Sequence, residues 1–182
     1  MAGACVDSAR LLADCHVDLI VYGCTSGSFI KGKGFDKEVE NKINAATGIP
    51  TISTSGCVLE ALHKAGATRV AIYTPYIDEI NRRAHDFLTA NGFEVTALYG
   101  MGLIDNIDIG RVEPAEVFRM VSENDYRGAD VIFLSCTNLR TFEILKPLSQ
   151  ALGRPVISSN QASLWGALGR LEWPGTLDLF VF

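Results

Sequence analysis

Two cysteines stand at the ends of apolar runs, and each is followed by threonine. Cys24 lies in "YGCTSGSF" (22–29), directly after "VDLIV", and Cys136 lies in "LSCTNLRTF" (134–142), after "ADVIF". A thiolate can take a proton from carbon or attack an electron-poor carbon. A second thiol on the opposite face can return a proton. Free cysteine titrates near about 8.5, and a helix N-terminus behind it lowers that value. Both cysteines precede segments that read as helical. Backbone N–H groups and the hydroxyls of Thr25, Ser26 and Thr137 can then cradle a carboxylate, with Asn138 as a further donor. No Gly-rich phosphate motif competes for that role.

The elements that must position these residues alternate. A helix over 3–15 precedes a strand at 17–22, whose near-continuous apolar run suits burial on both faces. A loop with "GCTSGSF" and "KGKG" leads to a helix near 35–47, stopped by Gly48 and Pro50. A strand at 50–54, a helix at 55–65, a strand at 69–74 and a helix at 77–90 follow. "FEVTALYG" reads as a strand and 114–126 as a helix with Pro114 in its first turn. The remainder reads as the strand "DVIFLS", a helix at 138–152 with Pro147 as a break, the strand "PVISS" and a helix at 160–170. This alternation predicts parallel sheets with helices on both faces.

The chain also repeats itself. After each cysteine comes a helix and then Gly-x-Pro, strand and helix: "TGIPTISTSGCVLEAL" in one half, "LGRPVISSNQASLWGAL" in the other. Two such units facing each other place Cys24 and Cys136 on opposite walls of one cleft. The second unit carries a strand–helix–strand (69–99) that the first lacks, so the expectation is two pseudo-symmetric lobes with a shortened first one. The divisions are 1–66, 67–160 and a C-terminal helix and tail, 161–182, packing back on the first lobe. A shortened lobe leaves apolar surface beside "VDLIVY", which favours a homo-oligomer.

Composition narrows the partners. The 182 residues are 48% hydrophobic with a net charge of −5, and the 16 Lys and Arg are scattered. That balance argues against nucleic acid. No apolar run reaches the roughly 18 residues of a membrane span. The start carries no signal-peptide pattern. Five cysteines without CxxC, and three dispersed histidines, predict free thiols, a cytoplasmic setting and no metal site.

On "YGCTSGSF", "RVAIYTPYIDEIN", "LSCTNLRTFE" and "PVISSNQASLW", the chain resembles the aspartate/glutamate racemase superfamily. The resemblance is to the branch of maleate cis-trans isomerases, arylmalonate decarboxylases and ectoine-utilisation proteins. It implies a two-lobed, cofactor-independent enzyme acting on a small carboxylate between its lobes, with Cys24 and Cys136 as the catalytic pair. In the decarboxylases the first cysteine position is glycine, so Cys24 points to an isomerase, most simply of maleate type. An aspartate/glutamate-type racemase, a decarboxylase-like enzyme and a non-catalytic carboxylate-binding relative are the alternatives. The tyrosine of "TPY" maps to Tyr76 as a substrate-binding residue, and Asn106 in "GLIDNIDIG" to a carboxylate-binding asparagine. The family opens with a strand and an asparagine-bearing loop that this sequence lacks.

Other residues read as structural. Cys57 has Ala162 or Ser163 as its counterpart in the repeat and is expected in the core. Cys5, Cys15, His16, His63 and His85 read as packing, solvated or capping groups. "IDEINRR" (77–83) reads as a solvated helix face, Asp105 and Asp108 as loop residues, and Trp165 and Trp173 as packing or subunit-contact residues.

Overall fold

The computed structural model describes residues 2–175. Helix α1 (Ala2–Ala13) leads to strand β1 (Ile20–Tyr22), helices α2 (Thr25–Phe29) and α3 (Phe35–Thr47), strand β2 (Thr51–Ser53) and helix α4 (Thr54–Lys64). Strand β3 (Arg69–Tyr76), helix α5 (Asp78–Ala90) and strand β4 (Glu94–Leu103) follow. Helices α6 (Asn106–Arg111) and α7 (Pro114–Glu123) precede strand β5 (Val131–Leu134), helix α8 (Phe142–Leu152), strand β6 (Val156–Ser158) and helix α9 (Ser159–Arg170).

Among the described residues all strand pairs are parallel, in two sheets: β1–β2, and β4–β3–β5–β6. The pair β5–β6 reproduces β1–β2, with Leu134 opposite Ser158 as Tyr22 lies opposite Ser53. Strands β3 and β4 have no counterpart beside β1 among the described residues. The second sheet is the larger because β3 is buried from Val70 to Tyr76, as a strand covered on both faces must be. The smaller cluster of Ala9, Ile20, Phe35, Val39 and Ile43 fills the space between α1, α3 and β1.

Both β2 and β6 run directly into helices, and the chemistry of the turn is the same. Ser53 and Ser158 hold extended backbone and cap α4 and α9, accepting from the N–H of Gly56 and Gln161 at 3.2 Å each. Gln161 completes a reciprocal capping box. Helix α9 then packs along α4 and joins the lobes. Gly166 lies so close to Cys57 that a Cβ there would stand 2.5 Å from Sγ. Of the C-terminal segment expected to pack on the first lobe, residues 176–182 lie outside the described residues.

Local structure departs from the sequence reading in four places. Helix α2 forms where a loop was expected, because Cys24 caps it; five residues are too few to show a period. Helix α6 forms at Asn106–Arg111, with Asp105 Oδ1 accepting from Ile107 N–H at 2.7 Å and Asp108 paired to Arg111. The helix after Cys136 begins at Phe142 rather than 138, since Thr137–Thr141 form a turn. It continues through the exposed Pro147 without breaking. On the face expected to be solvated, Asn81 is buried.

Candidate active site

Cys24 closes β1 and caps α2 with ordinary extended backbone (φ −137°, ψ 108°), its Sγ accepting the Gly27 N–H at 3.3 Å. The approach requires glycine: a Cβ at position 27 would stand 2.8 Å from that sulfur and 2.7 Å from the Tyr22 hydroxyl. The loop is held from below by Ser28, which donates to the Cys24 carbonyl at 2.8 Å and meets the Ser55 hydroxyl at 2.6 Å. The thiol itself is half-buried, as is Ser26 on the same turn.

Cys136 is held differently. It follows β5 at φ +141°, a left-handed conformation that costs an L-residue about 1–3 kcal/mol, and it is buried. Its N–H donates to Ser159 Oγ at 3.1 Å, and its Sγ accepts the Asn138 N–H at 3.3 Å. Burial pushes the thiol up from its ordinary value; the Asn138 N–H, the Tyr76 phenol and the Leu139 N–H pull against it, and the charge of Cys24 adds to the rise. The expectation of a helix N-terminus behind this thiol is corrected: its sulfur meets the Asn138 and Leu139 N–H groups of a turn, and α8 starts six residues later.

Tyr76, the last residue of β3, faces Cys136. Burial, then the charge of Cys136, raises its phenol well above the usual range, so it stays protonated and can donate. Two side chains, bonded to each other, hold its backbone. The Tyr76 N–H donates to Thr74 Oγ1 at 3.0 Å, its carbonyl accepts from Asn81 Nδ2 at 3.1 Å, and Thr74 donates to Asn81 Oδ1 at 2.6 Å. Gly100 of β4 leaves the room this needs, because a Cβ there would run into Asn81 and the Tyr76 carbonyl.

Cys24, Cys136 and Tyr76 thus come together, and the charge of Cys24 acts on both of the others. The two threonine hydroxyls lie between the lobes. Thr137 Oγ1 donates to the Gly23 carbonyl at 3.1 Å, and Thr25 Oγ1, buried, donates to Ser159 Oγ at 2.9 Å. Here they tie one cysteine loop to the other rather than standing open to a carboxylate. Asn138 is exposed, and its Nδ2 donates to the Asn106 carbonyl, which draws the first residue of α6 to the second cysteine loop.

Three residues escaped the sequence reading: Ser159, Asn81 and Ser135. Ser159 occupies in "PVISS" the place of Thr54 in "PTIST", so the repeat was the signal that could have found it. Ser135 Oγ is fully buried and faces the Tyr76 phenol; no other described group bonds it.

The remaining thiols are of another kind. Cys57 is pushed up to about 12, mainly by burial, and is inert at neutral pH. Cys15 is exposed and Cys5 half-buried. The His63 ring packs tilted against Phe93 with centroids 4.7 Å apart, and His85 is exposed beside Asp86. Trp165 packs against the core, and Trp173 is exposed. Among the described residues, no three His, Cys, Asp or Glu side chains group to hold a metal, and no helix is long and apolar enough to cross a membrane.

A family model described as arylmalonate decarboxylase matches residues 2–178. An arylmalonate decarboxylase of Bordetella bronchiseptica is 32% identical over 165 residues, covering 90% of this chain and 69% of that protein. A maleate isomerase of Geobacillus stearothermophilus is 26% identical over 167 residues, covering 88% of this chain and 66% of that protein. The chain therefore spans about two thirds of the length of the curated relatives it matches. A Cys-to-Ser mutant of Nocardia farcinica maleate cis-trans isomerase, solved with a covalently bound succinylcysteine intermediate, shares the fold. Its TM-score is 0.92 at 22% identity, over 96% of this chain and 74% of that one.

Proposed function

The chain belongs to the arylmalonate decarboxylase family, and from that premise we propose that it is a cofactor-independent, two-thiol cis-trans isomerase of a small dicarboxylate of the maleate type. One observation carries the reading: a cysteine from each lobe is delivered to the same place, on loops bonded to each other, beside a phenol that remains protonated.

Cys24 acts as the nucleophile. Its thiolate adds to one carbon of the substrate double bond, and the π pair moves onto the carbon next to the other carboxylate. The former double bond, now single, rotates. The pair then re-forms the double bond in the trans geometry and expels the thiolate. Cys136, whose burial favours the protonated thiol, is the acid partner on the opposite face: it lends its proton as a hydrogen bond to the carbanion and keeps it when the pair returns. Tyr76 and Ser26, with Asn138 and Asn106 at the rim, hold the carboxylates, and the N–H groups of Thr25 and Thr137 add to them. The succinylcysteine of the Nocardia relative supports addition of sulfur to carbon as the chemistry of such sites.

The free cysteines favour a reducing, cytoplasmic setting. The exposed Leu11, Leu12 and Val21 of the first lobe favour a homo-oligomer.

Incubation with maleate in deuterated water, followed by proton NMR, tests the proposal. Fumarate without solvent deuterium is the expected product. Deuterium at an inverted carbon of aspartate or glutamate would replace the reading with racemisation. Carbon dioxide from an arylmalonate would replace it with decarboxylation. Carboxylate binding without turnover would leave a non-catalytic relative.

A further inference from the structure

Ser159 is fully buried at the first position of α9, and its hydroxyl receives two donors from different lobes. The Cys136 N–H donates to it at 3.1 Å, and Thr25 Oγ1, next to Cys24 in the chain, donates at 2.9 Å. A serine hydroxyl offers two acceptor lone pairs, and both are used here. We propose that Ser159 is a positioning residue of the two-thiol site: it sets the separation of the two sulfurs by pinning both cysteine loops to the start of one helix.

The energetics of the second loop explain why an anchor is needed there. Cys136 occupies backbone that L-residues avoid, and such strain persists only where surrounding contacts over-determine it. Its buried N–H would have no acceptor without Ser159. The Ser158 cap in turn fixes where α9 begins. Thr137 Oγ1, bonded to the Gly23 carbonyl at 3.1 Å, is the second tie between the loops, at their more open side. The repeat makes the asymmetry plain. Thr54, which occupies the corresponding place at the start of α4, donates to the Tyr22 carbonyl at 3.3 Å and receives Ser163. It has no bond to either cysteine. Two groups that act on opposite faces of one small substrate tolerate little error, since a shift of about 1 Å costs on the order of a hundredfold in rate.

The inference rests on the proposed two-thiol reading, and two readouts separate its failure from failure of that reading. The first is turnover of maleate by wild type, Ser159→Ala, Thr25→Val and the double variant. Ser159→Ala is expected to lower kcat by about tenfold or more with KM within about threefold, because distance rather than affinity is lost. Thr25→Val should have a smaller effect, and the double variant should be no worse than Ser159→Ala, since both cut one link. The second readout needs no turnover: the rate of iodoacetamide labelling at each cysteine, mapped by mass spectrometry. Freed of its anchor, the Cys136 loop should relax and label at least about threefold faster in Ser159→Ala, with exposed Cys15 unchanged. Ser159→Thr, which keeps the hydroxyl, should restore the wild-type Cys136 rate. Equal Cys136 labelling in wild type and Ser159→Ala would overturn the inference, as would strictly additive losses in kcat. If wild type turns over no maleate, the isomerase reading fails and labelling alone decides the anchor.

Discussion

The two cysteine loops descend from the same strand–Cys–Thr pattern, yet they occupy different physical states. Cys24 has relaxed extended backbone, a half-exposed thiol and a five-residue helix beginning at its own sulfur. Cys136 is buried at φ +141°, faces a protonated phenol and is followed by a turn. The lobes around them differ as well. A two-stranded sheet carries the first thiol, whereas the second rises from the four-stranded sheet whose β3 delivers Tyr76. Internal duplication therefore places two thiols symmetrically but leaves them chemically unequal. In the proposed reaction this inequality lets one thiol attack while the other keeps its proton.

The largest test of this contrast is activity. Cys24→Ser and Cys136→Ser should each lower maleate turnover by roughly a thousandfold or more, since a hydroxyl is a far weaker acid than a thiol. Cys57→Ser should leave rate constants almost unchanged, because that thiol is a packing group. Normal turnover without Cys24, measured on folded protein, would break the comparison at its root.

A second test strikes the junction between the lobes. Gly166→Ala places a methyl 2.5 Å from Cys57 Sγ and should cost about 1–3 kcal/mol in denaturant melts. Adding Cys57→Ala should recover most of that loss, because it removes the opposing sulfur. Failure of the double variant to recover would mean that the close approach of α4 and α9 is not set by this contact.

The backbone contrast predicts opposite rankings at the two cysteine positions. At Cys136 the glycine variant should be more stable than the alanine variant by about 1 kcal/mol, since glycine relieves the strain. At Cys24, where φ is −137°, alanine should be more stable than glycine by about 0.5–1 kcal/mol. Thermal melts of the four variants decide the matter, and the same ranking at both sites would erase the distinction.

The smallest effect concerns alkaline stability. A Cys57 thiol raised from 9.0 to about 12 stays protonated in the fold where the unfolded chain has lost its proton. Stability held below pH 9 is therefore lost as pH climbs toward 12, by about 1 kcal/mol at pH 10. Cys57→Ser should shrink that loss in melts at pH 8 and pH 10. An unchanged difference would show that other groups, such as the buried tyrosines, govern the alkaline limb.

Much of this was legible in the residues. Apolar runs ending in Cys-Thr, and Gly-x-Pro before a strand, are local patterns, so the parallel architecture and the two thiols could be read directly. The long strands and helices followed because their periods extend over eight or more residues. The short α2 and α6 escaped because five or six residues hold less than two turns. Asn81 was misread because its neighbours in "IDEINRR" are charged, while its own side chain turns in to hold Tyr76.

Chain order determined which residue types stand at the end of each strand, because a strand's burial and a turn's small residues are written locally. Tertiary structure alone decided what each of those residues does. Thr25 and Thr137 look from the sequence like carboxylate ligands, but the meeting of the lobes sets their hydroxyls against Ser159 and Gly23. Cys136 is strained and Cys24 is not, because one loop is pulled to the start of α9 while the other winds into its own helix. The physical reason is that hydrogen-bond partners 23 to 134 residues apart leave no mark on local periodicity.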